Sequence, residues 1–295
     1  MTNLSIVVRR DDGYITKSKK SQEVASVIGE HICFGTWQLP YEDIPDIISN
    51  AIAAGFRHFD TAASYANESA VGDGLVSYGI PRESLFISGK LWTTKRGFDS
   101  AIKSCKKSLR NLRLGYFDQY LIHWPATAVT DDDWIEINRE TWRALEQLKK
   151  DGYVRRIGVC NCGVRELEAL IDGAEITPET NQIEFHPGFT QAEIVEFCKS
   201  HGIALEAWSA LGHGSLLTHP IILGSAEKLS CTPAQLILRW CLEKGLSPIT
   251  KTVSSGRMRE NLETFGISLD TATIAALDAI SSGTAVNYDK FLKRS

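Results

Sequence analysis

The feature that most restricts this chain is an alternation: a short apolar, β-branched run, a polar loop, an amphipathic helical stretch, and then the next apolar run. Eight runs read as strands: "HICFGTW" (31–37), "RHFD" (57–60), "LFISGKL" (85–91), "YFDQYLIHW" (116–124), "VRRIGVCN" (154–161), "NQIEFHP" (181–187), "IALEAWS" (203–209) and "LSPIT" (246–250). Their spacing of roughly 25 to 40 residues leaves room for one helix and two loops in each interval. In "FDSAIKSCKKSLRNLRL", Phe98, Ala101, Ile102, Cys105, Leu109 and Leu112 recur three and four residues apart and share one helix face. "TPAQLILRWCLEK" opens with Thr232 as an N-cap and Pro233 at the first helical position, where a missing N–H costs nothing. Strict alternation implies a parallel sheet with helical crossovers, and eight units is the number that closes into an α/β (β/α)8 TIM barrel.

A doubly wound sheet is the competing fold, but it wants G-x-G-x-x-G after a strand, and that pattern is absent. A length of 295 residues admits one large barrel or two ordinary domains. No Pro- or Ser-rich linker divides the chain, so residues 1–295 read as one domain. Residues 1–29, with Asp12-Gly13 as a turn signal, read as an N-terminal β-hairpin capping the barrel bottom. Two extra helical stretches, about 257–264 and 270–281, follow the last strand.

Composition narrows the function. A formal net charge of −4 gives no reason to expect a nucleic-acid partner, and the cluster "KSKK" is too short to argue otherwise. No window approaches a membrane span, and the charged N-terminus is not that of a signal peptide. Seven cysteines, an odd number scattered through apparent core, read as reduced thiols of a cytosolic protein.

In a barrel of this kind chemistry gathers at the C-terminal ends of the strands. Read there, the chain offers Trp37, Asp60, Lys90, His123, Asn161, His186, Trp208-Ser209 and Lys251, with Tyr65 one short loop past the second strand. A free tyrosine, with a pKa of about 10, is a poor acid near neutrality. A neighbouring ammonium favours its phenolate, an aspartate would keep that ammonium charged, and a histidine beside the phenol can orient a carbonyl oxygen. Asp60, Tyr65, Lys90 and His123 together suit proton delivery to an oxygen that gains negative charge, as in carbonyl reduction. Singly, each has a plainer reading: a helix cap, a solvated charge, a core histidine.

"GFRHFDTAASYANESAVGDGL", "ISGKLW", "YFDQYLIHWP", "IGVCNCG", "NQIEFHP" and "PITKTVSSGRMREN" together resemble the aldo-keto reductases, NADPH-dependent (β/α)8 enzymes. The resemblance runs from about residue 31 to 265 and is nearest to the microbial diketogluconate-reductase-like and prostaglandin-F-synthase-like members. It implies that Tyr65 is the general acid, that Lys90 and Asp60 depress its pKa, and that His123 orients the substrate carbonyl. For NADPH/NADP+ it implies contacts from Thr36, Trp37, Asp60, Cys160, Asn161 and Gln182, with Trp208 stacking on the nicotinamide. Ser209, Leu211 and Gly212 would line the pyrophosphate, Lys251, Thr252 and Arg257 would hold the 2′-phosphate, and Glu260 with Asn261 the adenine. Cys160 stands where the family has serine, Trp208 where tyrosine is usual, and Thr250 where proline is usual.

Trp37, Trp92 and Trp124, with Tyr65 and His123, would wall the substrate pocket, whereas Trp134, Trp142 and Trp240 sit at helical spacing and read as core. The tail "ISSGTAVNYDKFLKRS" shows in no recognisable form the arginine-bearing segment and late Asp-Pro pair that relatives often carry over the site; Tyr288 and Phe291 are its aromatic residues. The resemblance therefore implies a cytoplasmic, monomeric NADP-dependent oxidoreductase acting on small-molecule carbonyls, without membrane or nucleic-acid partners and without a metal. A non-catalytic NADPH-binding regulatory protein on the same fold, and a Schiff-base aldolase using Lys90, are the alternatives.

Overall fold

The computed structural model describes residues 32–281. Eight parallel strands close into one barrel in sequence order. They are β1 (Cys33–Gly35), β2 (His58–Asp60), β3 (Phe86–Leu91), β4 (Phe117–Ile122), β5 (Val154–Cys160), β6 (Thr180–Glu184), β7 (Ala204–Trp208) and β8 (Leu246–Thr250). Closure comes from β1 against β8, where Cys33 faces Ile249 and Phe34 faces Thr250. Each observed strand lies within the run expected from sequence, shortened where the polar strand-end residues begin the loops. The exception is β6, which starts one residue earlier, at Thr180.

The outer layer follows the same order. Helices α1 (Ile44–Ala54), α2 (Glu68–Ser77), α3 (Phe98–Leu112), α4 (Trp134–Lys150), α5 (Val164–Ile171) and α6 (Ala192–Ser200) return the chain between strands. Two helices, α7 (Pro220–Lys228) and α8 (Pro233–Glu243), lie between β7 and β8. Two more, α9 (Ser255–Leu262) and α10 (Thr271–Asp278), follow β8, as the expected C-terminal pair does. Thr232 caps α8 by accepting from the Gln235 amide at 3.2 Å, while the Gln235 side chain accepts from the Thr232 N–H in return.

On α3, Ala101, Cys105, Leu109 and Leu112 are buried as the periodicity predicts. Ile102 is half-buried against the core, and Phe98, the first residue of the helix, is 39% exposed. Trp134, Trp142 and Trp240 are buried, so the core reading holds for all three. No two cysteines are joined. Among the described residues no helix is long and apolar enough to cross a membrane. The hairpin expected over 1–29, the "KSKK" cluster and the tail residues Tyr288 and Phe291 lie outside the described residues.

The sheet is drawn tight at Gly158. A methyl there would sit 2.5 Å from the Thr180 carbonyl oxygen and 2.8 Å from the Leu121 side chain, so β5 passes its neighbours only without a side chain. Gly158→Ala is therefore expected to lower the unfolding free energy by about 2 kcal/mol, read as a reduced midpoint in urea denaturation at unchanged slope.

Candidate active site

A cavity of about 800 Å³ opens at the C-terminal ends of the strands. Asp60 ends β2, and the turn after it, Ala63–Tyr65, brings the phenol back over the barrel mouth. Lys90 is the penultimate residue of β3 and is 1% exposed. Its ammonium donates to both oxygens of Asp60, and more weakly to the Thr61 carbonyl at 3.4 Å. Tyr65 Oη lies 3.3 Å from Lys90 Nζ. His123, directly after β4, has its ring edge-on to Tyr65 at 5.8 Å and to Trp92 at 5.2 Å, with Ser64 Oγ 3.4 Å from Nδ1. The four residues singled out at the strand ends thus share one site.

Burial sets their protonation as much as charge does. Burial is the largest influence on the Tyr65 phenol and raises it; Lys90 pulls it down, and the net direction is upward. Lys90 thus acts on the phenol in the direction that the resemblance implies, and burial opposes it. Burial also pulls the Lys90 ammonium down, but the Asp60 carboxylate beside it outweighs that and holds it above its ordinary value. His123 is pushed well below its ordinary 6.5, by burial first and Lys90 second, so its imidazole is neutral. A lysine that stays protonated and paired is no amine nucleophile, which removes the basis of a Schiff-base aldolase.

The other wall comes from β5, β6 and β7. Asn161 adopts a left-handed backbone (φ 58°) just past β5. Its amide donates to the His123 carbonyl at 2.9 Å, and its Oδ1 accepts from the Trp208 indole at 2.8 Å. Gln182, 3% exposed on β6, donates to Asp60 Oδ2 at 3.0 Å and to Glu206 Oε2 at 2.7 Å. Ser209, Leu211, Lys251, Thr252, Arg257, Glu260 and Asn261 line the same cavity, as do Trp37, Trp92, Trp124 and Trp208.

Three expected contacts are not on the lining. Thr36 is fully buried, its hydroxyl donating to the Asp60 carbonyl at 2.9 Å. Cys160 is also buried, with burial pushing its thiol well up, and Gly212 lies beneath the loop that Leu211 exposes. At the far end Lys251 and Arg257 are exposed, and neither has a carboxylate partner among the described residues. Glu260 accepts from the Thr232 hydroxyl at 2.8 Å, and the Asn261 amide donates to Thr250 Oγ1 at 3.0 Å.

Several lining residues carry no local sequence signal. Gln38, Ser64 and the Thr232–Ala234 segment reach the cavity only because the barrel closes. His213 does so through a kink in which Gly212, His213 and Gly214 all have positive φ. Its Nε2 is 2.8 Å from Ser209 Oγ, and its ring is edge-on to Trp37 at 5.9 Å.

Among known proteins, the glyoxal reductase of Bacillus subtilis (strain 168) is 42% identical over 247 residues, covering 83% of this chain and 87% of that protein. The methylglyoxal reductase DkgA of Escherichia coli O157:H7 is 36% identical over 86% of this chain and 90% of its own. Among solved structures, apo Gox0644 superposes with a TM-score of 0.79 at 36% identity, covering 95% of both chains. The Gox0644 D53A mutant in complex with NADPH gives 0.80 at 37% identity, covering 88% of this chain and 93% of its own. Residues 31–282 match the Aldo/keto reductase family throughout, and with the closed barrel and its strand-end residues this chain belongs to that family.

Proposed function

We propose that the protein reduces small aldehydes and ketones to alcohols, with Tyr65 as proton donor, His123 orienting the carbonyl, and NADPH held along the cavity between Trp208 and Arg257. As a member of its family the chain is an oxidoreductase that uses NADPH/NADP+. The observation that carries the reading is a phenol 3.3 Å from a buried ammonium, opening on the same cavity as an exposed lysine and arginine.

The residues fit the cofactor at both ends. Lys251 and Arg257 lack carboxylate partners among the described residues and stand beside the start of α9, whose first-turn N–H groups favour an anion. That arrangement suits a 2′-phosphate. Near the tetrad, Trp208 offers a ring for stacking and Gln182 an amide for the nicotinamide carboxamide. When bound, NADPH supplies the hydride. Tyr65 gives its proton to the carbonyl oxygen as charge develops there, and the resulting phenolate is stabilised by Lys90. Neutral His123, with Ser64 Oγ 3.4 Å from Nδ1, would donate from Nε2 to the same oxygen in the tautomer protonated there. Asp60 keeps Lys90 charged throughout the cycle.

Trp37, Trp92 and Trp124 make the carbonyl side aromatic, which suits compact substrates of modest polarity. Two relatives carry the names glyoxal reductase and methylglyoxal reductase, which makes small vicinal dicarbonyls the first substrates to assay. A cytoplasmic monomer belongs to the same reading.

Tyr65→Phe is expected to cut aldehyde reduction by about 10³-fold while NADPH binding, followed by fluorescence, stays nearly unchanged; persistent turnover would remove the proton-donor role. If NADPH binds but no aldehyde or ketone is turned over, the regulatory reading stands instead. Arg257→Met is expected to weaken NADPH roughly tenfold while leaving NADH almost unaffected, and equal losses for both would count against the phosphate clamp. Because His123 is held well below its ordinary value, kcat/KM measured against pH should show no acid limb near 6.5; a limb there would mean that the imidazole titrates freely.

A further inference from the structure

The barrel interior holds a second carboxylate that the mechanism above does not use. Glu206, on β7, is 6% exposed. It accepts from Gln119 of β4 at 2.9 Å and from Gln182 of β6 at 2.7 Å, and no lysine, arginine or histidine pairs with it among the described residues. Gln182 and Glu206 are register partners in neighbouring strands. Gln119 continues the chain of bonds, accepting from Thr180 at 2.7 Å and donating to Ser88 at 3.3 Å. Barrel interiors are usually packed with branched apolar residues, so a polar bridge from β4 to β7 needs a reason.

The reason lies in the amide of Gln182. A primary amide has a donating end with two N–H groups and an accepting end, and carboxylate oxygens only accept. Gln182 meets two carboxylates, Asp60 and Glu206, so both N–H groups are consumed inside the barrel. That choice of orientation follows from the partners alone. What Gln182 then presents to the cavity it lines is its carbonyl oxygen, an acceptor. Asp60 alone would engage one N–H and leave the other free to turn outward, since the Asp60 carboxylate already accepts from Lys90.

We infer that Glu206 is a positioning residue: by taking the second N–H of Gln182 it fixes that amide with its acceptor facing the cavity, and so selects a ligand group that donates there, such as the N–H₂ of a primary carboxamide. The inference rests on the NADPH reading above and adds to it the polarity of the contact and the residue that enforces it.

The test compares NADP+ with its 3-acetylpyridine analogue, in which a methyl ketone replaces the carboxamide and the donor is gone. Dissociation constants for both are measured on the wild type, Glu206→Met and Glu206→Gln. The wild type should prefer NADP+. In Glu206→Met the freed N–H can turn outward to meet the ketone oxygen, so NADP+ should weaken about tenfold while the analogue weakens less or tightens. Glu206→Gln still offers one amide oxygen, and its affinity ratio should fall between the other two. Should Glu206→Met fail to fold, the ratio in Glu206→Gln decides alone. Equal losses for both nucleotides, or a ratio unmoved in every folded variant, would overturn the assignment of Glu206 and leave the reductase reading intact. A wild type that binds neither nucleotide would overturn that reading, and this one with it.

Discussion

The site depends on one ion pair. Lys90 carries a full charge to a place where it is almost entirely sealed from water, and only the Asp60 carboxylate makes that tolerable. Removing one partner of such a pair leaves an uncompensated buried charge, worth about 3–5 kcal/mol. The two residues come from β2 and β3, while Gln182 on β6 binds the same carboxylate from across the interior. The charge that stabilises a phenolate at Tyr65 therefore exists only after distant strands have met. In the proposed reaction that ammonium would stabilise the phenolate left by proton donation, while burial opposes loss of the proton beforehand.

The architecture separates two tasks. The residues proposed for proton transfer sit on strand ends and first loop residues, held by backbone that the barrel makes rigid. The proposed carbonyl side is built from Trp37, Trp92 and Trp124, one or two residues past β1, β3 and β4, and from His213 in the segment after β7. The proposed cofactor contacts are divided again. The β5–β7 wall offers amides and an indole, while the turn after β8 offers two exposed cations.

Much of this was legible in the sequence because strand ends are punctuated. Each apolar run stops at a polar or aromatic residue, and in a barrel those stops fall on one rim, so Asp60, Lys90, His123 and Lys251 could be grouped before any coordinate. The direction of side chains was less legible. Thr36 and Cys160 are next to lining residues in the chain but turn inward, and a strand three or seven residues long gives no internal clue to strand tilt. Glu206 was silent for the same reason. In "IALEAWS" it looks like the solvated face of a half-exposed strand, yet its partners lie on β4 and β6. The balance at Tyr65 was also less legible, since sequence names the nearby charges and not the burial that opposes them.

The polar bridge across the interior has a consequence for assembly as well as for ligand choice. Gln119, Glu206, Gln182 and Asp60 find their partners only when β2, β4, β6 and β7 stand at their present heights. A cylinder closed with one strand slid along its neighbour would strand several dipoles and two anions in a dry interior, at a penalty that oily side chains would not impose. Leucine and valine would tolerate many near-alternatives; this rung of amides works like the cut of a key, and admits a single way of rolling up the sheet.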